Sequence, residues 1–167
     1  KYEKCRAELK RTMGHVHENV LCKEAAESYN RSWNKIEKEY FKRLEKITKQ
    51  KFPFKKVNAY LTTAGRCAYN PDKRNPSFFV NFFTNIPSAM EIAGHEIMHI
   101  HLHNTSFWGN TKKQIGNERT HDLKEALTEL LNSDFMDLWI INDGGYPNHI
   151  QLRKFIKEQW KKNKNFD

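Results

Sequence analysis

Trp33, Ile36, Tyr40, Leu44 and Ile47 recur at three- and four-residue intervals, which puts them on one face of a helix beginning near Ser32. The stretch before it, Val16 to Tyr29, is helical in character too, and Pro53 ends this regime. The pattern then shortens. Lys56 to Thr63 reads as a strand, and Arg66 to Tyr69 as a short second one after a turn at Gly65. Asn70-Pro71-Asp72 and Asn75-Pro76 carry turn chemistry. Ser77 to Thr84, with Phe78, Phe79, Val80, Phe82 and Phe83, is the strongest strand signal in the chain.

Pro87 opens a helix that runs to about His103, and a polar loop, Asn104 to Asn117, follows. A second long helix is expected from about Asp122 to Ile141, with Leu123, Leu127, Leu130 and Leu131 as core contacts. Gly144-Gly145 stops it, and Asn148 is placed to cap a last helix whose Leu152, Phe155, Ile156 and Trp160 face inward. Helices, a small sheet, then three helices make an α+β domain. It occupies residues 1–167 as one unit: a helical region over 1–52, the sheet and the Pro87 helix over 53–104, and the remaining helices over 105–167.

Composition narrows this picture. A chain of 167 residues can bury a core, and 38% hydrophobic residues with 11 Phe and 4 Trp argue against disorder. No apolar stretch reaches the length of a membrane span. Cys5, Cys22 and Cys67 are an odd, scattered set, which favours reduced thiols and leans toward a cytoplasmic setting. The chain starts at Lys1-Tyr2-Glu3 without an initiator Met, as a trimmed or mature fragment would. The net charge of +9 gathers in lysines between 42 and 56 and between 157 and 164. Solvated helix faces account for it; attraction to nucleic acid or an acidic partner is the alternative, and no nucleic-acid motif accompanies it.

The chemistry lies in His95-Glu96-Ile97-Met98-His99, inside the helix opened by Pro87. Residues four apart stack one turn above each other, so both imidazoles leave the same face and can share a tetrahedral metal ion. Glu96 falls beside that ion, angled to take a proton from a water. A third ligand must come from elsewhere. On the same helix, Leu102 and Thr105 stand where a glycine turn and a third His would be needed, and His103 lies about 6 Å further along the axis from His99. Cys67 is a second source. The third is Glu125 in Glu125-Ala126-Leu127-Thr128-Glu129, with Glu129 one turn on as a carboxylate that could fix a histidine tautomer.

HEIMH followed by EALTE resembles the gluzincin zinc peptidases, most closely their minimal members, the minigluzincins. The likeness covers roughly Phe78 to Trp139. It implies a zincin-like fold with a mainly antiparallel sheet. It also implies zinc on His95, His99 and Glu125, Glu96 as general base, Glu129 as supporting acid, and a peptide or protein substrate. In such enzymes a Tyr or His beyond the metal helices stabilises the oxyanion, which points to Tyr146 and His149, with His121 as a third option. An exposed edge strand binds the peptide, expected here at Ser77 to Thr84, and the 104–117 loop with Phe107 and Trp108 would cover the cleft. HEIMHIHLH is also similar to metallopeptidases that act on phage repressors, although Asn132-Ser133-Asp134 stands where their ligand segment continues to Met-Pro. The competing expectation is a non-catalytic, zinc-stapled binding module for nucleic acid or an acidic protein. Its fourth ligand position would be closed by His101, His103 or Cys67. A monomer is expected in either case.

Overall fold

The computed structural model describes residues 18–166 together with residues 3, 8, 11 and 14; Cys5 and the start of the Val16 stretch lie outside the described residues. Helix α1, Val20–Thr48, is continuous, so Ser32 is interior and not a start; Asn19 caps it by accepting from the backbone N–H of Leu21. No Pro or Gly interrupts residues 20–48, and Tyr40, Leu44 and Ile47 on its inner face are buried.

Strands β1 (Asn58–Thr62), β2 (Tyr69–Asn70) and β3 (Ser77–Asn81) are shorter than the pattern suggested. Their order is β1-β3-β2, with β1 parallel and β2 antiparallel to β3. The sheet is therefore mixed, not mainly antiparallel. It is so because the chain crosses to the far side of β3 before the 71–76 turn returns it. The Phe-rich strand is central rather than an exposed edge. Phe78 and Val80 point into the core, while Tyr60 and Phe79 pair on the open face.

Helix α2, Ile86–Asn104, is the centre of the molecule. Asn85 caps it through the Ser88 N–H, Pro87 occupies its first turn, and eleven of its residues are buried on several faces. The expected polar loop is instead helix α3, Ser106–Ile115, whose polar residues are compatible with helix and whose one glycine, Gly109, does not break it. The expected long helix is three pieces: α4 (Asn117–Leu127), α5 (Glu129–Asp134) and α6 (Met136–Trp139). At the first break the Thr128 hydroxyl donates to the Glu125 carbonyl, replacing a backbone bond. A 3₁₀ turn at Pro147–His149 leads into α7, Ile150–Lys162, so Asn148 is not its cap. Trp160 is buried, but Phe155 is 57% exposed, because only one narrow stripe of α7 meets α4 and α5. No described helix is long and apolar enough to cross a membrane.

Candidate metal centre

Two tight contacts fix the His95-bearing part of α2. The Tyr40 hydroxyl of α1 donates to the Gly94 carbonyl at 2.6 Å, and a Cβ at Gly94 would lie 2.6 and 2.8 Å from ring carbons of Trp139. Glycine there lets α6 close against the helix one residue before His95. On the opposite face, His95 and His99 stack edge to face with ring centroids 4.4 Å apart.

Helix α4 supplies Glu125. Its Oε2 lies 3.2 Å from His99 Nε2 and 3.7 Å from His95 Nε2. A tetrahedral zinc with bonds of about 2.0–2.1 Å holds neighbouring ligand atoms about 3.4 Å apart, so the three atoms are spaced as one ion would need. Burial holds His99 neutral, at about 3, as a ligand must be. Burial works against a charge on His95 too, but the carboxylates of Asp143 and Glu125, 3.4 and 3.7 Å from its ring nitrogens, outweigh it and raise His95 to about 10. Burial pushes Glu125 up, yet its two imidazoles and Lys124 hold it well below the usual carboxylate range. In the metal-free chain the Glu125 charge is thus offset by His95 and Lys124, and a cation bound here would take the place of the His95 proton.

Glu96 points from the same helix and is buried, and burial raises it to about 7. Among the described residues it has no hydrogen-bond or salt-bridge partner. Half-buried Glu91, earlier on the same helix, is likewise raised to about 7 by burial and lacks such a partner, whereas Lys124, Glu125, Glu129, Asp143 and Arg153 are paired.

The supporting groups differ from those the sequence suggested. Glu129 touches neither histidine; it binds Arg153 at 3.0 Å and Lys157 at 3.2 Å. Arg153 in turn holds Asp143, whose Oδ2 is 3.4 Å from His95 Nδ1. Asp143 is the carboxylate that orients His95, with Glu129 two links behind it. Asp143 sits in Asn142-Asp143-Gly144-Gly145, where only a helix stop was legible. Glu91, His95 and Asp143 also cluster, but Asp143 already accepts from Arg153 and from the Gly145 N–H, which fits a hydrogen-bond anchor better than a second ion site.

Lys124 is 3% exposed and pairs with Glu125 Oε1 at 2.6 Å. It also donates to the Tyr69 hydroxyl at 2.8 Å, and Tyr69 stacks near His99 with centroids 5.1 Å apart. Tyr146 is 55% exposed against the edge of His149, and His149 is turned onto Asp122 at 3.1 Å. His121 lies against Trp108. The structure therefore joins none of the three to the cluster.

The closing ligands of the alternative reading do not converge either. His101 faces the other side of α2, stacked on Phe52 with Nε2 2.8 Å from the Thr48 hydroxyl. His103 bonds the Tyr69 hydroxyl and stacks on Trp108, and Cys67 is a free thiol outside the grouping. Trp108 and Phe107 thus pack within α3 and its neighbours rather than on a loop over the centre. A hollow of about 790 Å³ between α1 and β1 is lined by Trp33, Phe54, Met90 and Ile97, and no cluster residue reaches it. Comparison with protein-family models, curated proteins and solved structures finds no match.

Proposed function

We propose that the protein is a zinc-dependent peptidase of zincin-like arrangement, with His95, His99 and Glu125 holding the ion and Glu96 as general base. One observation carries this reading: three ligand atoms within 4.8 Å of one another, from two helices, stand beside a buried carboxylate with no partner. When bound, zinc would polarise the scissile carbonyl and acidify a water. Glu96 takes the proton of that water and delivers it to the leaving amine. Its elevation to about 7 suits both transfers at neutral pH. Asp143, whose Oδ2 lies 3.4 Å from His95 Nδ1, is placed to keep the other ring nitrogen toward the ion.

The peptide-binding edge moves from β3 to β2. With β3 covered on both sides, the free edge nearest the centre belongs to β2, whose Tyr69 already packs on His99. An extended peptide adding there would pass the ligands. The non-catalytic alternative needs a fourth protein ligand, and no described residue supplies one at the cluster.

The test is hydrolysis of an unstructured polypeptide by the zinc-loaded chain. Glu96→Gln should lower turnover by about 10²–10⁴-fold while zinc stoichiometry stays at the wild-type level. Equal activity in the two proteins would refute the assignment.

A further inference from the structure

Glu125 has two oxygens, and they are treated differently. Oε2 faces the two imidazoles, whereas Oε1 is held at 2.6 Å by the Lys124 ammonium. Lys124 has a second anchor in the Tyr69 hydroxyl at 2.8 Å. An ammonium only donates, so the Tyr69 oxygen accepts from it and must pass its own hydrogen to His103 Nε2, 2.8 Å away. His103 is therefore an acceptor on Nε2, a state that its burial and the charge of Lys124 favour. Its ring is stacked on Trp108. Donation thus runs outward from Lys124 in two directions, through Tyr69 of β2 to His103 of α2 and directly to the outer oxygen of Glu125.

We infer that Lys124 is a positioning residue that restricts Glu125 to one-oxygen ligation, at a cost in cation affinity, so that the ion keeps an open position. The inference rests on the reading of His95, His99 and Glu125 as the cation site. Two effects of Lys124 act together. By occupying Oε1 it prevents the carboxylate from closing on the ion with both oxygens. As a buried positive charge one carboxylate away, it also opposes a divalent cation. A lysine that served only packing would still repel the ion but would leave both Glu125 oxygens free to bind it.

The experiment uses the full chain, stripped with a chelator and reloaded with zinc or with cobalt(II), whose visible absorption weakens on going from four to five ligands. In Lys124→Met, zinc affinity measured by competition with a chromophoric chelator should rise by at least about tenfold, from the lost repulsion alone. The cobalt band should lose intensity. Tyr69→Phe, which keeps the charge but removes its second anchor, should shift both readouts the same way by less. Either looser zinc or a wild-type cobalt band in Lys124→Met would overturn the inference. If that variant does not fold by circular dichroism, Tyr69→Phe decides alone, and unchanged affinity and band overturn it. Wild-type protein that takes up no stoichiometric cobalt or zinc overturns both this inference and the metal centre. Wild-type protein that binds zinc but hydrolyses no peptide removes only the proposed activity.

Discussion

Asp143→Asn separates the carboxylate that orients His95 from the one the sequence nominated. The substitution keeps the side-chain shape and removes a charge from a buried position. Three donors now converge on Asp143: His95 Nδ1 at 3.4 Å, Arg153 Nη1 at 3.1 Å and the Gly145 N–H at 3.0 Å. An amide has one oxygen, so whichever way it turns, its NH₂ confronts at least one of them. Without metal, the weakened charge-assisted bond to Arg153 should cost about 1.5–3 kcal/mol, toward the lower end because Glu129 still pairs with Arg153. With zinc, loss of the His95 anchor should reduce affinity by about 10–100-fold. At saturating zinc that removes a further 1.4–2.7 kcal/mol or so of stabilisation. Urea unfolding of both proteins, with excess zinc and with chelator, isolates the second quantity as a difference of differences. Glu129→Gln is the control, expected to lower metal-free stability while leaving the zinc increment within about 0.5 kcal/mol. An equal zinc increment in wild type and Asp143→Asn would show that Asp143 merely anchors Arg153.

Two other substitutions address the contacts behind the metal helix. Gly94→Ala brings a methyl within 2.6–2.8 Å of the Trp139 ring, and should destabilise by about 1–2 kcal/mol after its gain in helix propensity; a higher urea midpoint would contradict this. Tyr40→Phe loses the bond to the Gly94 carbonyl, for about 1 kcal/mol near neutral pH. Burial raises the Tyr40 hydroxyl well above its ordinary range, so above pH of about 10 the unfolded chain releases a proton that the folded one keeps. Wild-type stability should therefore fall as pH rises past that point, and fall less in Tyr40→Phe, with Tyr29 retaining part of the slope. Identical slopes would exclude Tyr40 as a source.

The legible parts of the fold and of the centre are those that follow from periodicity within one element. Helix α2 is apolar on several faces and carries its two histidines at one-turn spacing, so its burial and its shared face follow from the sequence. Glu125 was reachable because a ligand on a following helix needs only a carboxylate. Glu129 was misplaced because four-residue spacing implies stacking only on an unbroken helix. The chain breaks at Thr128, whose hydroxyl takes up the Glu125 carbonyl. No Pro or Gly marks that break. A strand was rightly expected from Ser77, although it ends at Asn81 and not Thr84; its neighbours depend on where the chain crosses, and a run apolar on both faces already favours a covered strand over an edge. Lys124 and Asp143 were invisible for a simpler reason: charged residues in a polar segment carry no period that distinguishes a buried one.

Besides His99, five ionisable residues are buried around the centre: Glu96, Lys124, Glu129, Asp143 and Arg153. Buried ion pairs seldom stabilise a fold more than well-packed apolar residues would, so stability alone is a poor reason for so many. Their arrangement suggests another. Lys124 secures Glu125 from one side, and Arg153 with Glu129 secures Asp143, and through it His95, from the other. Both arms end on proposed ligands, and the one carboxylate left outside them is Glu96, between the arms and on the same helix as the histidines. A network built for rigidity alone would pair that carboxylate, which burial raises to about 7 with no hydrogen-bond partner to offset it. Leaving it unpaired is the expected cost of keeping a base free to exchange a proton with a water.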